Sequence, residues 1–176
     1  MKILLTNSGR RTYFIDFIKD LKLKNIKLYL SDSNYYVPTA AQVKKSNFLV
    51  LPNSSKVTEY KNKLKSFILK KKIDLVIPLS DYDLNILSSL QKELYKKTIF
   101  IIPPENVINI CINKIKTNEF LKLNNFDSPK IYNSIKSIKK YPIIIKDITG
   151  NGSNNLNFIQ NKIQLSKIVN KKKENI

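Results

Sequence analysis

Short apolar runs alternate with amphipathic segments along the first hundred residues. The runs predict five strands, at 3–6, 26–30, 48–51, 75–79 and 99–102. Between the first two, apolar residues recur at helical spacing, which predicts one buried helix face made of Tyr13, Phe14, Phe17, Ile18 and Leu21. Apolar strands that alternate with helices form sheets covered on both faces. We therefore predict an α/β fold with an open, mainly parallel, Rossmann-like sheet.

The pattern changes after Pro103 and Pro104. Helices are predicted at 105–112 and 114–123, the second with Asn113 as its cap, followed by a strand at 130–132 and a short helix at 134–139. A further strand at 141–146 leads into a glycine-bearing loop, and 156–159 returns antiparallel. These changes predict two domains, residues 1–103 and 104–176, of which the second is α+β.

The three glycines of the chain occur in two loops, each directly after a predicted strand. Gly9 lies in the first, and Gly150 and Gly152 lie in the second. A chain with so few glycines is expected to place them where the backbone turns sharply or approaches a ligand. The only two arginines, Arg10 and Arg11, adjoin Gly9. We therefore expect bare backbone N–H groups to meet an anionic ligand at both loops.

Three loops follow strands and are predicted to share the carboxyl edge of the sheet, where ligands bind in such folds. They are 8–11, the segment beginning at Asp32, and 80–83. The candidate substrate-binding residues are Ser8, Gly9, Arg10, Arg11 and Asp81. A tight turn at Gly9 and helix caps at the aspartates are the structural alternatives. A dinucleotide site is disfavoured because Gly9 has no G-x-G-x-x-G partners. The later loop at 150–153 is not a P-loop, because it has no G-K-[ST] and joins two strands.

The net charge is +19, but it comes from lysines spread over every segment. Together with abundant Asn and Ile, this composition is typical of AT-rich coding, and it favours solvated faces over a nucleic-acid surface. A polyanion-binding protein stays open as an alternative. One cysteine, Cys111, excludes an internal disulfide, and no run has the length of a membrane span. We expect a cytoplasmic protein with no membrane partner.

Several segments, in their order and spacing, resemble the ATP-grasp ligases. They are Asn113-Lys114, Phe120-Leu121, Pro129, the run 141–146 and the loop 150–153. The first hundred residues resemble the pre-ATP-grasp domain, and the greatest likeness is to stand-alone proteins similar to the carbamoyl phosphate synthetase large subunit. Three positions depart from the family pattern: Asn113 stands for Asp, Asn125 for Gly, and Asp147 for Pro.

The resemblance implies a site for ATP. Lys114 and Lys146 match the basic positions that contact ATP, and the mobile phosphate-covering loop corresponds to Gly150, Asn151, Gly152 and Ser153. It also implies that residues 104–176 form an incomplete ATP-grasp lobe. The magnesium ligands are expected outside this chain, so no metal ligand is assigned here.

The implied function is the N-terminal portion of an ATP-dependent carboxylate–amine ligase that forms an acyl phosphate. We expect it to be inactive alone, because the magnesium-binding lobe is absent. Its partners would be ATP, a small acidic substrate, and either a second polypeptide carrying the catalytic lobe or a second copy of the chain. The alternatives are a non-catalytic nucleotide- or anion-binding module and a truncated relic.

Overall fold

A five-stranded parallel sheet organises the first part of the chain. The computed structural model describes residues 1–22, 24–150 and 155–173. The strands are β1 (Lys2–Thr6), β2 (Lys27–Asp32), β3 (Phe48–Val50), β4 (Leu75–Pro78) and β5 (Ile99–Phe100). Their order is β3-β2-β1-β4-β5, and every neighbouring pair is parallel. The α/β prediction is therefore confirmed, and the order reverses between β1 and β4, which is the topological switch point of the sheet.

The remaining elements of the described residues are six helices, three 3₁₀ turns and one hairpin. The helices are α1 (Thr12–Asp20), α2 (Val57–Lys71), α3 (Leu84–Leu94), α4 (Glu105–Cys111), α5 (Lys114–Leu123) and α6 (Lys162–Lys173). The 3₁₀ turns span Pro38–Gln42, Lys45–Asn47 and Ile135–Ser137, and the hairpin consists of β6 (Ile143–Ile145) and β7 (Asn157–Ile159). The chain divides into two compact units, Met1–Ile108 and Asn109–Ile176. No helix in the described part of the chain is long and apolar enough to cross a membrane.

Both faces of the parallel sheet are buried, as its apolar strands require. Leu4 packs with residues of α2 and α3, including Leu64 and Leu87, on one face. Its neighbours Ile3 and Leu5 pack with Ile15 of α1 on the other face. Successive side chains of β1 therefore serve opposite layers, because side chains alternate across a strand.

Helix α1 packs through only part of the face that was predicted. Ile15 is fully buried, and Phe14 and Ile18 pack around the same cluster. Tyr13 and Phe17, by contrast, are 68% and 62% exposed. Residues four apart share a helix face, so the spacing was informative. The prediction was right for Phe14 and Ile18 and wrong for Tyr13 and Phe17, because the spacing of apolar residues on this helix does not show which of them meet the sheet.

The strand predicted at 130–132 does not form. The Nδ2 group of Asn118 in α5 donates to the carbonyl of Pro129 at 2.7 Å. The segment is therefore held by a side chain at its start, and it has no ladder partner among the described residues.

The hairpin of the second unit leaves one face in solvent. Its strands are antiparallel, with Ile143 opposite Ile159 and Ile144 opposite Phe158. Ile159 is buried, whereas Ile144 and Phe158 are each 56% exposed. The antiparallel return predicted from the sequence is confirmed, and a pair of large apolar side chains remains uncovered on the other face.

Candidate functional site

The loop after β1 is fastened to the end of β2. The N–H of Gly9 donates to Asp32 Oδ2 at 2.8 Å, and the N–H of Ser8 donates to the carbonyl of Ser31 at 3.0 Å. Gly9 has a φ of +51°, the left-handed region that glycine adopts without steric cost. The two loops that were predicted to share an edge do meet. The N–H of Gly9 is not bare, however, because the Asp32 carboxylate already accepts from it.

A third segment, the 3₁₀ turn Pro38–Gln42, closes over the same loop. The hydroxyl of Thr39 donates to the carbonyl of Gly9 at 3.0 Å and lies 2.8 Å from the hydroxyl of Ser8. Thr39 and Ser8 are both fully buried. The Ser8 hydroxyl is therefore engaged inside the protein, where it shapes the loop.

The two arginines lie at the surface of this loop. Arg11 Nη1 donates to the carbonyl of Asn7 at 3.2 Å and lies 3.7 Å from the position that a Cβ on Gly9 would occupy. Its guanidinium therefore lies over the glycine. Arg10 is exposed. None of the ion pairs among the described residues involves an arginine.

The loop after β4 is anchored by a buried tyrosine–aspartate pair. The Tyr60 hydroxyl of α2 donates to Asp83 Oδ2 at 2.8 Å, and Tyr60 and Asp83 are 1% and 0% exposed. Burial raises the pKa of Asp83, an effect opposed by the nearby Thr6, Tyr60 and Asn7 side chains. Burial, and then the charge of Asp83, raise the pKa of Tyr60. The predicted residue of this loop, Asp81, lies at its surface, where its Oδ1 is 3.5 Å from the hydroxyl of Ser80.

Beneath these loops, polar atoms are buried with little hydrogen bonding. Thr6 Oγ1, Asn7 Nδ2, Ser31 Oγ and Asp83 Oδ1 have no partner in hydrogen-bond geometry. Thr6 and Asn7 approach Asp83 closely enough to lower its pKa without meeting that geometry. Buried polar groups are ordinarily paired, so such a cluster at the edge of a sheet is typical of a functional region.

In the second unit, the start of α5 lies against the loop after β6. Lys114 Nζ donates to the carbonyl of Gly150 at 2.9 Å, and the N–H of Lys114 donates to the carbonyl of Ile148 at 2.9 Å. Asp147 Oδ2 accepts from Asn155 Nδ2 at 2.8 Å across the base of the loop. The structure thus brings together two of the predicted ATP-site residues, Lys114 and Gly150.

The other predicted ATP-site residues are not joined in this way. Lys146 is exposed just after β6. Asn151, Gly152 and Ser153 lie outside the described residues. No group of His, Cys, Asp or Glu side chains in residues 1–22, 24–150 and 155–173 could hold a metal ion.

Sequence reasoning missed Tyr60, Asp83 and Thr39. Tyr60 lies on the apolar stripe of α2, so the hydrophobic pattern predicted a core residue. That pattern does not show that the Tyr60 hydroxyl has a hydrogen-bond partner. Asp83 was included in a loop but was not distinguished from Asp81. Its position immediately before α3 predicted a helix cap, but its side chain makes no capping hydrogen bond and accepts from the Tyr60 hydroxyl instead.

Comparison with known proteins assigns the first unit to a family and the chain to a fold. A family model for the PylC-like N-terminal domain matches residues 3–102, which is more than half of the chain. A search of curated proteins gives no match. The structural matches described next are all below 25% identity, so they show the fold alone.

Three solved structures share this fold. One is an L-amino acid ligase from Bacillus licheniformis, at 16% identity and a TM-score of 0.65, with 97% of this chain and 41% of that chain covered. Another is the biotin carboxylase domain of Hydrogenobacter thermophilus 2-oxoglutarate carboxylase, a dimer with MgADP, ADP and bicarbonate, at 18% identity, a TM-score of 0.66, and coverage of 97% and 40%. The third is biotin carboxylase from Campylobacter jejuni in complex with β,γ-ATP, at 17% identity, a TM-score of 0.62, and coverage of 94% and 40%. This chain therefore spans about 40% of the length of the structures that it matches.

Proposed function

This chain belongs to the PylC-like N-terminal domain family, and from that premise we propose that it is the N-terminal portion of an ATP-dependent carboxylate–amine ligase. The structural neighbours support an enzyme of the ATP-grasp type, since an L-amino acid ligase and two biotin carboxylases share its fold. The greater likeness to the carbamoyl phosphate synthetase large subunit stays a prediction.

The single observation that carries the proposal is the contact between Lys114 and the loop after β6. Its Nζ lies 2.9 Å from the carbonyl of Gly150, at the loop that would cover the nucleotide phosphates. An ammonium group at a glycine-bearing loop is suited to a phosphate group. Lys146, which is exposed directly after β6, would add a second positive charge. The proposed ATP ligands are Lys114, Lys146 and the segment 150–153.

The acidic substrate is proposed to bind at the carboxyl edge of the parallel sheet. Arg10 and Arg11 supply the charge, and neither forms an ion pair with a described residue. Guanidinium groups match carboxylates through paired N–H donors. Ser8 and Gly9 fix the loop that carries the arginines, and Asp81 is proposed to contact the substrate from the loop after β4.

The ligands of magnesium, and the rest of the catalytic lobe, are proposed to be supplied by residues other than these 176. In acyl-phosphate chemistry, Mg²⁺ bridges the phosphates of ATP and neutralises the charge that develops in transfer. A second polypeptide could supply its ligands, and a second copy of this chain is the other proposed partner. The uncovered pair Ile144 and Phe158 supports a partner surface on the second unit. Alone, the chain is proposed to bind ATP weakly and to catalyse no ligation.

Calorimetric titration with ATP tests this proposal. We expect a dissociation constant of about 1 mM, equivalent to roughly −4 kcal/mol, for the isolated chain. Lys114→Ala and Lys146→Ala should each abolish measurable binding. Lys139→Ala is the matched control, because Lys139 is an exposed lysine outside the loop.

Three other outcomes would contradict the proposal. Tight ATP binding by the lone chain, or ligation without a partner, would show that these residues suffice for the reaction. An equal loss of binding in Lys139→Ala, with steep dependence on salt, would indicate that the lysines form a general polyanion surface instead.

A further inference from the structure

An open groove of about 380 Å³ lies beside the carboxyl end of β2 in the first unit. Its lining is mostly apolar and consists of Tyr35, Tyr36, Val37, Pro38, Ala40 and Ala41. The Tyr35 ring meets Phe48 edge-on, with 5.3 Å between ring centroids, so this wall is braced by the core. The Tyr36 ring is 92% exposed. A volume of this size falls at the lower end of small-molecule sites.

Hydrogen bonds connect the segment that lines the groove to the loop that carries the arginines. Thr39 stands in sequence between two lining residues, Pro38 and Ala40, and its hydroxyl donates to the carbonyl of Gly9 at 3.0 Å. The same hydroxyl lies 2.8 Å from Ser8 Oγ. Both hydroxyl groups are buried, so water does not compete for these contacts. The segment that lines the groove is therefore hydrogen-bonded directly to the arginine loop.

We propose that the groove is the specificity pocket for the acidic substrate, and that this substrate is a monocarboxylate with an aliphatic or aromatic side chain. The carboxylate meets Arg10 and Arg11, and the side chain lies in the groove. This inference rests on the proposed substrate site at the arginine loop and adds the chemical class of the ligand.

The lining of the groove explains why the side chain is apolar. A second charge or a string of hydroxyl groups in the groove would lose water and face Val37, Pro38 and the tyrosine rings, and such a loss is costly. An apolar side chain that leaves water for the groove contributes favourably to the free energy of binding. Tyr36 contributes little to the core because it is nearly fully exposed, and an exposed aromatic ring in a groove is typical of a binding residue.

The test is an NMR titration of the full ¹⁵N-labelled chain with acetate, butanoate and hexanoate. Amide shifts should appear at Gly9, Arg10 and Arg11 with all three ligands. With the longer acids they should extend to Tyr36 and Ala41. Affinity should rise by about fourfold for each methylene that enters the groove, which is the factor that one buried CH₂ contributes.

Two variants address the groove, and each has a matched control. Ala41→Phe fills the groove from an exposed position, and Tyr36→Ala removes one wall. The controls are Ser46→Phe, an equally exposed insertion of a ring, and Tyr95→Ala, which removes a ring that is 67% exposed outside the groove. We expect acetate affinity to stay unchanged in all four. The dependence on chain length should disappear in the two groove variants and persist in the two controls.

Two results would overturn the inference. Binding of carboxylates with no dependence on chain length in the wild type would show that the groove takes no part. If none of the three acids changed the amide chemical shifts of Gly9, Arg10 and Arg11, the proposed substrate site itself would be contradicted. Because the ATP titration concerns Lys114 and Lys146 in the second unit, it shows separately whether the proposed ligase function stands in either case.

Discussion

Removal of the Tyr60 hydroxyl should destabilise the first unit by an amount that depends on pH. Tyr60→Phe keeps the buried ring and deletes one oxygen, which donates at 2.8 Å to Asp83 Oδ2. The other carboxylate oxygen, Oδ1, already lacks a partner in hydrogen-bond geometry. Because Asp83 is fully buried, the variant leaves its carboxylate without a replacement from solvent. A buried acceptor that loses its donor costs about 2 kcal/mol, a substantial part of a total stability of roughly 5–15 kcal/mol.

The sign of the pH dependence follows from Asp83. Its pKa in the folded protein is raised, mainly by burial, above the value of about 3.9 for an unfolded aspartate. The folded state therefore binds the proton more tightly. The stabilisation of the folded state by protonated Asp83 is fully present below pH ~4 and is lost as pH rises through the pKa of Asp83 in the folded protein. Without the Tyr60 hydroxyl this pKa rises further, so the cost of Tyr60→Phe should be larger at pH 7 than at pH 4.

Urea unfolding at both pH values measures this effect, with Tyr95→Phe as the control. Tyr95 is 67% exposed, so its hydroxyl is replaced by water contacts and its loss should change stability by less than about 0.5 kcal/mol. A Tyr60→Phe cost no larger than that of Tyr95→Phe would show that the contact does not stabilise the fold. An equal cost at pH 4 and pH 7 would refute the assignment of the pH dependence to Asp83.

Three further substitutions test local features. Gly9→Ala should lower stability by about 1 kcal/mol in urea unfolding, because φ is +51° while a Cβ would meet nothing closer than 3.7 Å; a neutral result would show that the loop relaxes. Lys61 and Lys65 hold the pKa of Glu93 at about 2, so the wild type should lose stability as pH falls from ~4.3 through about 2, and Glu93→Gln should not show this loss. Thermal melts across that pH range measure the difference, and parallel wild-type and variant curves would contradict it. Asn113→Ala should cost about 1 kcal/mol, because the Asn113 Oδ1 caps α5; unchanged hydrogen exchange at the start of that helix would argue against the cap.

The hydrophobic pattern was sufficient to locate the strands and helices of the first unit. The five apolar runs correspond to the five strands of the sheet, although the two-residue edge strand β5 leaves Ile99 64% exposed. The pattern failed at α1, where Phe14 and Phe17 are equally apolar and only the first packs against the sheet. The choice between two apolar faces depends on the angle at which the helix meets the sheet, which local spacing does not determine.

The candidate site was predictable in its location and less so in its contacts. Parallel strands bring their carboxyl ends to one edge, so the meeting of Gly9 and Asp32 follows from topology. That the Asp32 carboxylate accepts from the Gly9 N–H depends on side-chain geometry within the loops. The pair Tyr60 and Asp83 depends on contacts between residues 23 positions apart in sequence, which no local pattern encodes.

The most direct test of the central claim is a map of amide chemical shifts on titration of the ¹⁵N-labelled chain with ATP and magnesium. The proposed function predicts saturable shifts at Lys114 and across residues 146–150, and their loss in Lys146→Ala. An absence of shifts at these positions, or shifts confined to residues 8–11 of the first unit, would contradict the assignment of the nucleotide site and with it the proposed ligase function.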